Sequence, residues 1–247
     1  MSTCLWWGAS HVRDLTTMLW KEWAEFVGNQ RSVRVFVLAV LLMGTLPVLI
    51  TRHKQLPGTF GQLFDLMYVL FASVIVVAQT APDLVLRERS GKTLEYLLST
   101  RLKDPAIFGG KIILAAAVGY LSGLAGMVVQ LVLTNLLAGH GTWTWIYLAT
   151  PQGRLLGFLV VPVIAAYLAS MGTFVALRIG EQRTAYMVTI LSMGVIAVPF
   201  LLRIVHLHAT MGWLWQALGV LALGVAIVVA LGFRLFRREM LVLYLQD

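Results

Sequence analysis

The residues most suggestive of chemistry are Gly91, Lys92 and Thr93, which match the last three positions of the phosphate-binding loop GxxxxGK[ST]. That loop also needs a glycine five residues before Gly91, where backbone N–H groups curl around the phosphates between a strand and a helix. This chain has Leu86 there, and residues 66–82 before it carry no charge, which indicates a long apolar helix. The sequence therefore predicts no nucleotide site and no ATPase activity in this chain, so any ATP must bind to another polypeptide.

Other candidate groups for chemistry are few. His206 and His208 supply two imidazoles without a third ligand nearby, and Cys4 is the sole cysteine, so we predict no metal site and no catalytic residue. A membrane-embedded enzyme is the alternative that would use His140, His206 and His208. The long apolar stretches contain no Asp, Glu, Lys, Arg or His, which argues against an ion-coupled transporter.

The composition is that of a membrane protein. Hydrophobic residues make up 59% of the 247 residues and charged residues 12%, against about 25% in soluble domains. Five uncharged stretches are long enough to cross about 30 Å of hydrocarbon as helices, and a sixth, 35–50, is one residue short and is extended by Arg34, whose apolar stem can snorkel. We therefore predict an all-α membrane protein formed by one domain, 1–247, with six transmembrane helices. The predicted spans are 33–51, 64–82, 108–137, 155–177, 184–204 and 212–234.

The positive charges predict the orientation. If the N-terminus is cytoplasmic, 15 of the 19 Lys and Arg residues fall on the inner side, so both termini are expected in the cytoplasm. The exception is the loop that holds Arg52 and Lys54. The formal charge of +8 then indicates attraction to lipids of the inner leaflet, and nucleic acid is not expected as a partner. We expect the protein in the cytoplasmic membrane.

Residues 14–28 form an amphipathic pattern before the first span. Leu15, Leu19, Trp23 and Phe26 fall on one arc of a helix, and charged residues fall opposite, which predicts a helix lying in the membrane interface. The alternative is a cytoplasmic helix packed on a partner protein.

Two sets of small residues at four-residue spacing predict close helix packing, either within the chain or between subunits. One set lies in the third span and the other in the sixth. They are Gly119 and Gly123, and Ala222, Ala226 and Ala230.

The stretch 88–100 reads ERSGKTLEYLLST, and Gly110-Lys111 opens the third span. It resembles the first cytoplasmic loop of ATP-binding-cassette (ABC) type-2 permeases, which often read E-R-x-x-G-T-L-E-x-L-L followed by a Gly-Lys pair. Lys92 stands where glycine is common, and Arg101 where proline is common. The six spans, the preceding interfacial helix and the basic tail extend the resemblance over nearly the whole chain. The matching residues of the loop are Glu88, Arg89, Thr93, Leu94, Glu95, Leu97, Leu98 and Thr100.

The resemblance implies an exporter subunit that pairs with a second permease half, as a homodimer or heterodimer, and with two ATPase subunits that bind ATP and Mg²⁺. Residues 83–104 would form a coupling segment that docks on the ATPase, and spans one, two and five would line a substrate path whose cargo and binding residues are unknown. The alternative function is a non-transporting membrane subunit that assembles or anchors another complex. The implied coupling residues are Glu88, Arg89, Lys92, Thr93, Leu94, Glu95 and Leu98.

Overall fold

A computed structural model of the chain describes residues 3–53, 58–91, 104–138, 151–205 and 211–235, and the regular structure within these ranges is helical throughout. A π-helical turn, Leu156–Val160, joins α5 to α6 just before Pro162, a residue with no backbone N–H to donate. The helices are α1 Thr3–Gly28, α2 Gln30–His53, α3 Gly58–Ser90, α4 Asp104–Ala138, α5 Pro151–Leu155, α6 Val161–Arg178, α7 Gln182–Val205 and α8 Met211–Leu235.

Five segments of the described chain are long and apolar enough to cross a membrane, which confirms the prediction of a multi-pass helical protein. The predicted fifth span, 184–204, corresponds to α7, but the side chains of residues 195–205 lie outside the described part. A count of six spans therefore stays a prediction. The five segments are Gln30–Leu49, Leu70–Ser90, Ala106–Leu137, Gly153–Arg178 and Gly212–Gly232.

Two of the helices are longer than a bilayer is thick. α3 has 33 residues and α4 has 35, so at 1.5 Å per residue each is about 50 Å long. α3 continues through Pro82, the predicted end of the second span, and ends at Ser90, where the Gly91 N–H donates to the Arg87 carbonyl over 2.9 Å. The start of the predicted coupling segment is therefore a helical extension of α3.

The core lies where α3, α4 and α6 meet. α3 packs against α2, α4, α6 and α7, and 72% of its candidate span is buried. α8 packs mainly on α6 and leaves most of its surface outside the bundle, since 11% of its candidate span is buried. α3 is thus the central helix of the bundle, and α8 lies at its periphery.

Gly119 brings α3 and α4 into close contact. A Cβ atom at this position would lie 1.9 Å from Val77 Cγ2 and 3.3 Å from the Ser73 carbonyl oxygen, so the two helices must move apart to accept a side chain. Gly119 and Gly123 are both buried, whereas Ala222, Ala226 and Ala230 are exposed on α8. The glycine pair packs within the chain, and the alanine set faces away from it.

Replacing Gly119 with alanine should destabilise the protein by about 1–3 kcal/mol, because the added methyl group overlaps Val77 in a filled interface. Thermal unfolding in detergent, followed by tryptophan fluorescence, measures the effect. Gly194→Ala is the matched control: no atom lies within 4 Å of a Cβ there, so a gain of up to about 1 kcal/mol is expected from helix propensity. Adding Val77→Ala to Gly119→Ala should restore part of the loss, and no restoration would contradict the assigned contact.

Candidate functional site

The end of the bundle where α3 ends and α4 begins contains a largely buried ion cluster, defined here as Lys21, Glu22, Glu88 and Lys111. Lys111 lies near the start of α4 and is 1% exposed. Its ammonium nitrogen Nζ lies 2.7 Å from Glu22 Oε1, 2.8 Å from Glu88 Oε2 and 2.9 Å from the Leu84 carbonyl oxygen. The ammonium donates hydrogen bonds to Glu22 Oε1 and the Leu84 carbonyl oxygen, and it forms an ion pair with Glu88 Oε2.

Lys21 completes the cluster from its more exposed side. Its Nζ lies 2.5 Å from Oε1 of Glu88 and 3.3 Å from Oε1 of Glu25, and the Glu25 side chain is half exposed. Glu88 is thus held between two lysines, and Glu22 and Glu88 together balance the charges of Lys21 and Lys111. This balance makes the burial of Glu22, Glu88 and Lys111 tolerable, since an unpaired buried charge costs several kcal/mol.

Three separate helices supply the cluster. Lys21 and Glu22 come from α1, Glu88 from the last turn of α3, and Lys111 from the second turn of α4. Gly110 lets α1 approach α4, because a Cβ there would lie 2.8 Å from Met18 Cγ. The cluster therefore links α1 to the end of α3 and the start of α4, the two helices that flank residues 92–103 in the sequence.

The environment shifts the proton affinities of the two α1 groups. Burial raises the pKa of Glu22 above its usual value, against the opposing pull of the Lys111 charge. Burial lowers the pKa of Lys21, but the hydrogen bond and charge of Glu88 outweigh it, so the net shift is upward. Lys21 is therefore firmly protonated at neutral pH.

The same carboxylates do not form a convincing metal site. One oxygen each of Glu22, Glu25 and Glu88 lies within 4.8 Å of the others, a separation that a divalent cation would suit. However, Lys21 and Lys111 place ammonium groups against these oxygens at 2.5–2.8 Å. The lysines already supply the positive charge that a metal would bring.

A second polar group lies beside the cluster and joins α2, α3 and α7. Asp83 is 5% exposed, and Arg87 Nη2 donates to its Oδ2 over 3.2 Å while the Gln182 amide donates to its Oδ1. Arg87 Nη2 also lies 3.2 Å from Ser32 Oγ, near the start of α2. Asp83 thereby connects the extension of α3 to two further helices.

The structure places the predicted coupling residues in different surroundings. Glu88 is 3% exposed, so its carboxylate lies in the ion cluster and not on a surface where a partner protein could contact it. Arg89 is partly exposed, with its guanidinium near Gly180 in the turn between α6 and α7. The remaining coupling residues lie outside the described part of the chain: Lys92, Thr93, Leu94, Glu95 and Leu98.

The buried face of α1 also differs from the predicted arc. Met18, Glu22 and Phe26 are buried, whereas Trp23 is exposed. Leu15 and Leu19 are partly buried. The apolar residues of 14–28 thus lie on two surfaces of α1. One surface packs against the bundle, and the other, which holds Trp20 and Trp23, is directed away from it.

Neither Glu22 as a site residue nor its ion pair with Lys111 was predicted from the sequence. A signal existed: Lys111 is the last charge before the apolar window 112–137, and a cation at the mouth of a membrane helix needs an anionic partner. Nothing in the sequence alone identifies that partner as Glu22, 89 residues earlier.

No family model, curated protein or solved structure matches this chain. The class of protein is therefore defined by its own architecture: an α-helical protein with the apolar, membrane-length helices of a multi-pass membrane protein. Its most specific described feature is the ion cluster at the ends of α1, α3 and α4.

Proposed function

We propose that this chain is the membrane-spanning permease half of an ABC type-2 exporter, driven by ATP hydrolysis on separate ATPase subunits. The observation that carries the proposal is the position of Glu88. It is the first residue of the permease-like stretch 88–100, and its buried carboxylate forms ion pairs with Lys21 of α1 and Lys111 of α4. The residues that resemble a coupling loop thus begin at a joint between three helices.

The cluster supports a route for mechanical coupling. A force applied to residues 92–103 would act on the end of α3, and Glu88 would pass it to α4 through Lys111 and to α1 through Lys21. Because separating these ion pairs would leave buried charges without partners, the three helix ends should move together and not slide past one another. ATP and Mg²⁺ would bind to the partner ATPase, whose closure supplies the force.

The remaining parts of the proposal concern assembly and placement. The exposed face of α8 is apolar, with Val220 72% and Leu223 62% exposed, so it suits contact with lipid or with a second permease half. The distribution of Lys and Arg favours the cytoplasmic membrane with both termini inside. Two permease halves and two ATPase subunits would complete the exporter.

Purification in mild detergent tests the proposal. We expect a nucleotide-binding subunit to co-purify with this chain in a one-to-one ratio. Stoichiometric partners without any nucleotide-binding subunit would contradict the exporter and favour the alternative, a non-transporting subunit that anchors another membrane complex.

Reversing a charge in the proposed docking segment makes the test specific. Glu95→Lys should reduce the amount of co-purified ATPase at least about 10-fold, because a like-charge contact replaces a favourable one across an interface. Glu181→Lys is the matched control, since Glu181 is an exposed carboxylate just before α7 and should leave the ATPase bound. Equal retention of the ATPase by both variants would show that residue 95 lies outside the docking surface.

A further inference from the structure

A cleft of about 410 Å³ opens between α2, α3 and α7, beside the first turns of α2 and α7. It is distinct from the ion cluster, although Asp83 lies between the two. Arginine, amide and phenol groups line it together with one proline. The lining residues are Arg31, Gln79, Pro82, Gln182, Arg183 and Tyr186.

The charges of the cleft favour an anion. Arg31 and Arg183 are exposed and lie in the first turns of α2 and α7, which begin at Gln30 and Gln182. The N-terminal end of a helix carries a partial positive charge, so two helix ends add to the two guanidinium groups. An arginine guanidinium has the planar donor geometry that suits phosphate oxygens.

The neighbouring acidic groups compensate this positive charge only in part. Asp83 accepts hydrogen bonds from Arg87 and Gln182 and also attracts Arg31, while exposed Glu181 accepts a hydrogen bond from Thr184. Three arginines, Arg31, Arg87 and Arg183, therefore face two carboxylates. The bond to Asp83 also fixes the Gln182 side chain at the edge of the cleft.

Apolar surface continues from the cleft toward the membrane interior. Leu38 lies seven residues after Arg31 on the same face of α2 and is 56% exposed. On α7, Met187 and Leu191 follow Arg183 at four-residue spacing and are 48% and 70% exposed. A polar pocket with positive charge thus opens onto two apolar tracks.

We propose that this cleft binds the phosphate group of an anionic amphiphile, with the acyl chains lying along α2 and α7. Arg31 and Arg183 contact the phosphate oxygens, and Gln79 and Tyr186 offer hydrogen bonds to the rest of the headgroup. The assignment does not depend on an ATPase partner, and so its test is independent of the exporter proposal.

Native mass spectrometry of the purified chain in detergent tests the site, with phosphatidylglycerol as the probe and phosphatidylcholine as the neutral comparison. The wild-type chain should bind one phosphatidylglycerol molecule preferentially. Arg31→Gln with Arg183→Gln should weaken this binding at least about 10-fold, because a hydrogen bond to a charged group is lost at each position. Arg34→Gln removes the same charge one turn further along α2, outside the lining, and should leave the binding unchanged.

Competition with glycerol 3-phosphate distinguishes the sources of the phosphate. No competition at millimolar concentration identifies a membrane amphiphile as the ligand, whereas full competition identifies a free phosphate ester. Equal binding of phosphatidylglycerol by the double variant and the wild-type chain overturns the proposal, as does equal wild-type affinity for the two lipids. Thermal unfolding of each variant confirms that it is folded, because both arginines are exposed and their loss should not affect the core.

Discussion

Replacing Lys111 with methionine should destabilise the protein by about 3–5 kcal/mol and lower the midpoint of thermal unfolding by on the order of 10 °C. The substitution keeps most of the side-chain volume but removes the ammonium group. Glu22 and Glu88 then stay buried at 0% and 3% exposure, with Lys21 as the remaining cation of the cluster. Their mutual repulsion and lost solvation account for the expected effect.

Tryptophan fluorescence during heating in detergent measures the change, and two variants serve as controls. Arg34→Met removes an exposed cation that donates a hydrogen bond to Gln30 Oε1, so a loss below about 1 kcal/mol is expected. Combining Lys111→Met with Glu22→Gln and Glu88→Gln removes the stranded charges and should recover much of the stability. If Lys111→Met were as stable as Arg34→Met, the buried cluster would be wrong.

The membrane-spanning helices could be predicted from the sequence because each corresponds to one long, continuous apolar stretch. Windows of about 20 residues without a charge must form helices in a bilayer, since no water satisfies the backbone there. Five such helices are described. The windows do not show how far a helix extends outside the membrane, which explains why the continuation of α3 through Pro82 to Ser90 was not predicted.

The ion cluster could not be predicted from the sequence, because it depends on tertiary contacts. A helical wheel of α1 separates an apolar arc from a charged one, but it does not show which face meets α4. That choice depends on the absence of a side chain at Gly110, which lets Met18 approach and brings Glu22 to Lys111. For a residue on the border between the two arcs, such as Glu22, packing and not periodicity determines whether the side chain is buried.

Glu88 illustrates the same limit at a functional motif. The resemblance at 88–100 identified it as a residue of interest, and its charge suggested a solvent-facing position. In the structure Lys21 and Lys111 draw the carboxylate inward, so its proposed role is to transmit force and not to contact the ATPase. Sequence patterns locate such a residue but do not distinguish a buried ion pair from an exposed one.

Replacing Glu88 with glutamine should uncouple the permease from its ATPase while leaving the two bound. The amide keeps the shape of the side chain but loses the charge that holds Lys21 and Lys111, and Glu22 still pairs with Lys111 at 2.7 Å. We expect a modest destabilisation, of about 1–3 kcal/mol, and loss of most of the movement that ATP drives in α1 and α4.

Hydrogen exchange of the purified complex measures this movement without knowledge of the cargo. Trapping the ATPase with ATP and vanadate should change exchange in α1 and at the start of α4 in the wild-type complex, and the change should fall at least about 5-fold in Glu88→Gln, which corresponds to about 1 kcal/mol of lost coupling. Glu25→Gln is the matched control, because Glu25 is exposed and contacts Lys21 from outside the cluster. An unchanged response in a stable Glu88→Gln complex would exclude the ion cluster as the path of coupling, even if the ATPase remained a true partner.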